Sequence, residues 1–264
     1  MVSIRKKYTR DFTLDKYKEL CYTLQTNGYT PLTVRDFLNG KTANSSNPEE
    51  RIVILRHDVD RKIMNAIRMA KLEHELGIRS TYYFRYPYTF KPDIIREIQD
   101  LGHEIGYHYE VLSKAKGDHQ KAIALFESEL EEFRNIYPVE TICMHGSPLS
   151  PYDNRDLWKR YDFHQYRIKG EAYLSIGNID YFSDTGRNWN GRNNISDFLS
   201  GDRFIGQTET TGDLIEVIQC KGSRILYLTT HPERWSHSLR SHVVNYATDF
   251  IFNVGKKIIK GFRR

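Results

Sequence analysis

An apolar run at residues 52–55 (IVIL) leads directly into four ionisable side chains, and this junction restricts the possible folds more than any other stretch. A short run of branched apolar residues is typical of a strand buried on both faces. Because a buried charge is costly unless it is paired or bound to a metal, the charged groups are expected at the open carboxyl end of that strand. They are Arg56, His57, Asp58 and Asp60.

The two aspartates of this stretch could carry chemistry. Asp58 and Asp60 are two residues apart, so they point to the same side of an extended chain. Two such carboxylates can share a cation, or one can hold the cation while the other acts as a base. A solvated acidic turn is the structural alternative for an isolated pair of this kind.

From residue 51 onward, apolar runs alternate with amphipathic stretches. Strands are predicted at 52–57, 80–85, 103–108, 139–144 and 224–230, with weaker candidates at 181–184 and 203–205. Helices are predicted at 61–76, 91–101, 117–136, 214–220 and 237–260, and residues 153–161 are a weaker helical candidate. Alternation of this kind indicates a parallel sheet with helices outside it, either open or closed into a barrel.

The first 50 residues have a different pattern. Thr13 is a suitable cap for a helix that ends before Gly28, and a short helix is predicted at 34–38. Residues 40–50 are polar and resemble a surface loop. We therefore expect residues 1–50 to form an N-terminal helical extension and linker, and residues 51–264 to form the main α/β domain.

Three histidines also follow predicted strands. His108 ends one strand, His145 follows the next, and His231 follows the last apolar run. One histidine in such a place is more often structural than catalytic. Three of them, together with the aspartate pair, would meet at the carboxyl edge of a parallel sheet, which is where active sites of α/β proteins lie.

Composition narrows the class of protein. The chain has 264 residues and a formal charge of +5, and its basic residues are scattered except at the carboxyl end, which does not favour nucleic acid as a partner. Its three cysteines lie far apart, so we expect a reducing compartment. The charged N-terminus lacks the apolar core of a signal peptide, and no run is long enough to span a bilayer. The expected location is the cytoplasm.

Several motifs resemble those of the polysaccharide deacetylases, the NodB-homology group of carbohydrate esterases. The resemblance covers roughly residues 51–235 and rests on HDVD (57–60), GHEIG (102–106) followed by His108, STYYFR (80–85), and the apolar strand that ends in His231. The sequences of these motifs are similar to those of a divergent branch of the family. That branch is found in the biosynthesis of bacterial surface polysaccharides, such as lipopolysaccharide or capsule. The resemblance implies an irregular (β/α)7 barrel.

The same resemblance implies an activity. It implies a metal-dependent hydrolase that removes an N- or O-acetyl group from a sugar, with Asp58 as base and His231 as acid. Asp60 and His108 would hold a divalent metal, expected to be Zn²⁺. The substrate would be an acetylated sugar, a nucleotide-sugar or a lipid-linked glycan.

One position departs from the family pattern. The second metal-binding histidine of the family would stand four residues after His108, where this chain has Leu112. Three residues could replace it: His145, which we favour, then Glu110, and lastly His103, which is expected to lie a strand length away. If the metal is lost, the protein would be an inactive glycan-binding relative.

Two further classes use a strand followed by Asp-x-Asp. Metal-dependent glycosyltransferases do so, but such a role leaves the three strand-end histidines unexplained. Haloacid dehalogenase phosphotransferases expect threonine or valine where this chain has Lys62. Both remain less favoured alternatives.

Other residues could bind the sugar or orient the catalytic groups. Tyr109, Trp189 and Trp235 could stack on a sugar ring, although core packing is equally expected for them. Charged candidates are equally consistent with structural ion pairs. They are Arg56, Glu110, Arg155 and Asp184.

The carboxyl end has helical periodicity and a basic tip. Apolar residues recur at helical spacing from Val243 to Phe262, and Lys256, Lys257 and Lys260 lie close to two terminal arginines. Such a helix most often packs on its own domain. It could also contact an anionic bilayer, which would place the protein at the periphery of the inner membrane.

Overall fold

The computed structural model describes residues 10–40, 50–147, 150–191, 208–220 and 222–246. Within these ranges eight strands form one sheet in which every pairing is parallel. The strands are β1 (Tyr29–Leu32), β2 (Arg51–Val59), β3 (Thr81–Phe84), β4 (Glu104–Tyr109), β5 (Thr141–Met144), β6 (Gly170–Glu171), β7 (Asp180–Ser183) and β8 (Ile225–Thr230).

Helices connect most of these strands. The α-helices are α1 (Leu14–Thr26), α2 (Val34–Leu38), α3 (Ile63–Glu75), α4 (Pro92–Asp100), α5 (Val111–Lys114), α6 (His119–Arg134) and α7 (Thr211–Gln219). Short 3₁₀ helices cover Asn154–Lys159, Phe163–Tyr166 and Pro232–Arg234. Residues 239–246 are also helical. None of the helices in the described part of the chain is long and apolar enough to cross a membrane.

The long strand β2 lies at the centre of the sheet. The strand order is β6-β5-β4-β3-β2-β8-β7, and β1 pairs with the first half of β2 while β3 pairs with its second half. Because β2 has neighbours on both sides and helices outside, its run at residues 52–55 is buried. The end of β2 therefore opens between the ends of β3 and β8, next to the histidine that follows β8.

The sheet curls so that its two ends approach each other. The Tyr227 hydroxyl of β8 donates to the carbonyl of Ala172, which follows β6, and the rings of Tyr173 and Tyr181 lie 6.4 Å apart. Inside the curl, a Cβ on Gly106 would overlap the ring of Tyr83, so this glycine of the GHEIG motif gives the ring its space. The predicted fold class, an irregular (β/α)7 barrel, is confirmed.

Most predicted elements are present, and the structure adds two strands that were not predicted. The sequence did not predict β1, because Pro31 interrupts its apolar pattern and lacks an N–H for the ladder. It did not predict β6 either, which has only two residues. The candidate strand at 203–205 and the helix beyond residue 246 lie outside the described residues. The division at residue 50 stays a proposal, and β1 joins the N-terminal segment to the sheet across it.

A buried polar cluster lies between the sheet and helices α1 and α3, centred on Glu73. The Glu73 carboxylate accepts hydrogen bonds at 2.5–2.8 Å from four side chains on three elements and the turn before β3. The donors are Tyr17, His57, Ser80 and Tyr82. Burial raises the pKa of Glu73, but His57 and the other donors outweigh it and lower the pKa to about 2.

This lowered pKa predicts a specific loss of stability in acid. A depressed pKa contributes stability that is present above the ordinary value of 4.5 and is lost as the pH falls toward about 2. The wild-type free energy of unfolding should therefore drop by roughly 3 kcal/mol more than that of Glu73→Gln over this interval. Urea unfolding at several pH values measures the difference. The exposed Glu75→Gln is the control, and a Glu73→Gln curve parallel to wild type would contradict the prediction.

Candidate active site

Two imidazoles from the ends of β4 and β5 converge on a carboxylate oxygen at the end of β2. Asp60 follows β2, His108 lies in β4 and His145 follows β5. The Nε2 atoms of His108 and His145 lie 3.4 and 3.5 Å from Asp60 Oδ1, and the two rings are nearly perpendicular with centroids 5.3 Å apart. The structure thus brings together the three residues that the sequence proposed as metal ligands.

The hydrogen bonds of the two imidazoles decide which nitrogen faces Asp60. His108 Nδ1 lies 3.0 Å from the carbonyl oxygen of Cys143, and His145 Nδ1 lies 2.8 Å from Glu110 Oε2. Both partners are acceptors, so each Nδ1 carries the proton and each Nε2 turns a lone pair toward Asp60. Asp60 Oδ1 is buried and accepts no hydrogen bond. Two nitrogen lone pairs and one unpartnered carboxylate oxygen form a donor set that suits a divalent metal such as zinc.

The charge of Asp60 agrees with this role. Burial raises the pKa of Asp60, but the positive charge that the rings of His145 and His108 carry when they are protonated outweighs burial and holds the pKa well below its usual range. Asp60 is therefore an ionised carboxylate at neutral pH, which is the form that binds a metal.

Glu110 stands behind His145, where it orients the ring. Arg85 Nη2 lies 2.9 Å from both oxygens of Glu110. Burial raises the pKa of Glu110, but His145 and Arg85 outweigh it and lower the pKa to about 2. Of the other candidate replacements, His103 lies before β4 and contacts the carbonyl of Ala70 at 3.0 Å, away from this site. The geometry therefore favours His145 over Glu110 and His103 as the replacement ligand.

A second donor set, formed by Asp58, His108 and Cys143, lies within 4.8 Å. It is the tighter cluster by distance, but both oxygens of Asp58 already accept hydrogen bonds from Arg56. The oxygen of Asp60 has no such partner. Because Arg56 already neutralises the Asp58 carboxylate, we favour Asp60 with His108 and His145 as the metal-binding set.

Asp58 forms a buried ion pair with Arg56. Arg56 Nε donates to Oδ1 at 2.8 Å and Nη2 donates to Oδ2 at 2.5 Å, while the guanidinium lies 4.1 Å from the ring centroid of Tyr173. Burial raises the pKa of Asp58, but Arg56 outweighs it and the pKa is lowered. Arg56 is fully buried, so it orients Asp58 and has no surface for the sugar contact considered from the sequence.

His231 is held by Asp184 on the other side of the site. Asp184 Oδ1 lies 2.6 Å from His231 Nδ1, and Oδ2 accepts from the His231 backbone N–H at 3.0 Å and from Trp235 Nε1 at 2.9 Å. Arg234 Nη1 donates to Asp184 Oδ1 at 2.6 Å. Burial raises the pKa of Asp184, but Arg234 and His231 lower it to about 2.

Opposing charges act on the His231 ring. Burial lowers its pKa, and so does Arg234, whose Nη1 lies 2.7 Å from His231 Nδ1. The carboxylates of Asp184 and Asp60 together outweigh both, and the net pKa of His231 is raised. The ring is therefore biased toward the protonated form, which is the form that a general acid requires.

The structure does not give the three aromatic candidates a free face. Tyr109 is fully buried, and its hydroxyl accepts from Trp158 Nε1 at 2.8 Å. Trp189 and Trp235 are 1% and 0% exposed and pack in a core cluster with Phe12. Core packing, the alternative expected from the sequence, therefore accounts for their rings. Trp235 also serves the site through its bond to Asp184.

Arg155 forms an ion pair with a residue close to it in the chain. Its Nη2 lies 2.6 Å from Asp153 Oδ2, and its guanidinium lies 5.7 Å from the ring centroid of Tyr173, which also contacts Arg56. A local ion pair thus explains much of its position. Its predicted role in substrate binding stays a prediction.

Sequence reasoning missed one acidic residue of the site, Glu233. It lies in the 3₁₀ turn after His231 and is 3% exposed, and burial and the Asp60 carboxylate raise its pKa to about 7. Its signal in the sequence was a charged residue directly after the last buried strand, within HPERW. Such a residue has no pairing that sequence alone can assign.

No protein-family profile and no curated protein matches this chain. Among solved structures, it resembles the Streptococcus pyogenes deacetylase PplD in complex with acetate, with 11% identity, a TM-score of 0.47, and coverage of 83% of this chain and 92% of that one. A family 4 carbohydrate esterase from Bacillus anthracis has 15% identity, a TM-score of 0.41, and coverage of 94% and 84%. The family 4 pseudoenzyme BA3943 from Bacillus anthracis has 12% identity, a TM-score of 0.44, and coverage of 80% and 63%.

These structures belong to the family that the sequence motifs resemble. The likeness is too distant to assign an activity to this chain, and one of the similar structures is a pseudoenzyme. A function for this chain has to rest on its own residues.

The free donor atoms predict which substitutions remove the metal. Asp60→Asn, His108→Ala and His145→Ala should each lower Zn²⁺ affinity by more than about a hundredfold, and Glu110→Gln, which only orients His145, by roughly 10- to 100-fold. Metal content after dialysis and calorimetric titration measure the effect.

Asp58→Asn and Cys143→Ser are the matched controls, because they alter the competing donor set while leaving the three proposed ligands intact. Both should retain zinc. If Cys143→Ser loses the metal and His145→Ala keeps it, the assignment is wrong and the cation belongs to Asp58, His108 and Cys143.

Proposed function

We propose that this chain is a metal-dependent carbohydrate deacetylase that removes an N- or O-acetyl group from a sugar. One observation carries the proposal: two imidazole Nε2 atoms and one unpartnered carboxylate oxygen converge at 3.4–3.5 Å, beside an arginine-held aspartate and an aspartate-held histidine. A metal-binding set, a base and an acid at one edge of the sheet are the groups that hydrolysis of an acetyl group requires.

The metal-binding residues in this proposal are Asp60, His108 and His145. A divalent cation there, for which Zn²⁺ suits the donors, would supply a Lewis acid that lowers the pKa of water and polarises the acetyl carbonyl. Glu110 keeps the His145 ring in the tautomer that offers Nε2.

Asp58 and His231 handle protons on opposite sides of the acetyl group. Arg56 keeps Asp58 ionised and fixes its orientation, so its carboxylate can accept the proton of the attacking water. His231, biased toward imidazolium by Asp184, can protonate the departing nitrogen or oxygen, which is a poor leaving group without a proton.

The test is acetate release from acetylated sugars, with and without Zn²⁺. Wild type should release acetate only when metal is present, and Asp58→Asn should bind metal without turnover. An inactive glycan-binding protein would bind sugar and release no acetate. A glycosyltransferase or phosphotransferase would require a nucleotide or phosphate donor, and neither role uses the acid–base pair of Asp58 and His231.

We further propose that the protein acts in the cytoplasm, at the periphery of the inner membrane, on nucleotide- or lipid-linked glycans of surface-polysaccharide biosynthesis. At the start of its C-terminal helix, Leu239, Val243 and Tyr246 are 57–60% exposed. Their spacing of four and three residues puts them on one side of the helix. The basic cluster that follows them in sequence lies outside the described residues.

The proposed acid role predicts opposite shifts in the pH profile. His231→Ala should slow hydrolysis by roughly two to four orders of magnitude. Asp184 raises the pKa of His231, so the imidazolium persists to higher pH. Asp184→Asn should therefore move the alkaline limb of the kcat profile to lower pH.

Arg234→Gln should move that limb to higher pH, because the guanidinium disfavours a protonated ring beside it. Circular dichroism checks that each variant is folded. If both variants move the limb in the same direction, His231 is not the group that titrates there.

The membrane proposal predicts binding that depends on lipid charge. The full chain should sediment with phosphatidylglycerol vesicles and not with phosphatidylcholine vesicles. Replacing Lys256, Lys257 and Lys260 by glutamine should weaken binding more than about tenfold, since each basic residue contributes about 1 kcal/mol near an anionic surface. Equal sedimentation of wild type and the triple variant would contradict a role for these lysines.

A further inference from the structure

Glu233 is a buried carboxylate that the proposed reaction does not yet use. It lies in the 3₁₀ turn directly after His231 and is 3% exposed. Both of its oxygens are shielded from solvent and accept no hydrogen bond. Arg61 Nη2 lies 3.6 Å from Glu233 Oε1, beyond hydrogen-bond distance.

A carboxylate without partners is costly to bury. Buried acceptors in folded proteins are almost always hydrogen-bonded, and an exception calls for a partner that comes from a ligand. Every other aspartate and glutamate discussed in the site accepts from an arginine, with the exception of the metal-binding Asp60. Glu233 therefore has the features of a group that awaits a donor from the substrate.

The turn that carries Glu233 is tied to helix α3 and approaches the end of β2. Asn65 Nδ2 donates to the carbonyl of Pro232 at 3.1 Å, which ties the turn to the first residues of α3. Arg61, the neighbour of Glu233 Oε1, follows Asp60 directly in the chain. Glu233 thus lies between the end of β2, which holds the metal-binding Asp60, and the end of β8, which carries His231.

The position of Glu233 between the ends of β2 and β8 bears on which atom of the substrate it can contact. The water that attacks is held on the Asp60 side, and the departing atom of the acetyl group must face His231. In the proposed reaction, the departing atom and the carbon that bears it would therefore face the turn that carries Glu233. In an acetamido sugar that atom is a nitrogen with one hydrogen, and in an acetoxy sugar it is an oxygen with none.

We propose that Glu233 accepts a hydrogen bond from the N–H of an acetamido group and so makes the site selective for N-acetyl over O-acetyl sugars. The inference rests on the proposed deacetylase function and narrows its substrate class. An ester leaves the buried carboxylate unpaired and turns oxygen lone pairs toward it, which a site built for an N–H rejects.

The hydrolysis balances without a further reactant. The water oxygen forms a bond to the acetyl carbon, the carbon–nitrogen bond breaks, and acetate and the amino sugar leave. Asp58 takes one proton of the water and His231 supplies one to the nitrogen. Glu233 neither gains nor loses a proton, and its bond to the N–H positions the nitrogen toward His231.

The test compares two methyl glycosides that carry either an acetamido or an acetoxy group at the same carbon. In Glu233→Leu, kcat/KM for the acetamido sugar should fall roughly 10- to 100-fold, while that for the acetoxy sugar changes by less than about threefold. Glu233→Gln keeps the shape and one accepting oxygen, so its loss should be intermediate. Glu132→Leu, on the exposed face of α6, is the matched control and should leave both values unchanged.

Zinc content and circular dichroism establish that each variant is folded and loaded, and Glu233→Gln carries the test if Glu233→Leu does not fold. If kcat/KM falls equally for both sugars, or if the ratio of the two kcat/KM values is unchanged in both Glu233 variants, this inference alone is overturned. A wild-type chain that hydrolyses neither sugar overturns the proposed function and this inference with it. A wild-type chain that prefers the acetoxy sugar overturns only the inference.

Discussion

The buried ion pair between Arg56 and Asp58 is the interaction on which the interior of the barrel depends. Two charges inside a sheet are costly, and this pair is offset by two hydrogen bonds and by a ring stacked at 4.1 Å on the guanidinium. Since strand residues alternate in direction, placing Arg56 and Asp58 inside turns His57 outward. His57 then meets Glu73 at 2.8 Å and Thr230 at 2.6 Å, so one strand anchors the interior site and the outer polar cluster.

The parts of the site that sequence could predict follow from strand polarity. Residues directly after buried parallel strands share one edge, which is why Asp60, His108, His145 and His231 could be grouped before their geometry was known. The sequence could also indicate that Leu112 leaves a ligand missing. The choice between His145 and Glu110 could not be made from the sequence, because it depends on which of the two side chains faces Asp60. In the structure His145 faces Asp60, and Glu110 contacts the far side of the His145 ring.

Other features depend on partners far apart in sequence, and local patterns could not predict them. The strand β1 contains a proline and is stable only because β2 pairs with it. Trp189 and Trp235 had the composition of sugar-binding residues, but α1 and the segment before it cover them. Glu233 had no distinguishing pattern, since its lack of partners is a property of the folded site.

Charge compensation distinguishes the two carboxylates that are proposed to take a ligand, Asp60 and Glu233, from the other carboxylates of the site. Three of the site's carboxylates each have an arginine within 2.9 Å: Asp58 with Arg56, Glu110 with Arg85, and Asp184 with Arg234. Asp60 faces two imidazoles at 3.4–3.5 Å, and Arg61 lies 3.6 Å from Glu233. Two neighbouring carboxylates of this kind repel each other, and burial strengthens the repulsion. A divalent cation at Asp60, as proposed, would relieve the repulsion and leave the hydrogen bonds of Glu233 unmade. Under that proposal, metal binding and substrate recognition answer one electrostatic problem, and removing Glu233 should weaken metal binding less than it weakens the preference for an N–H.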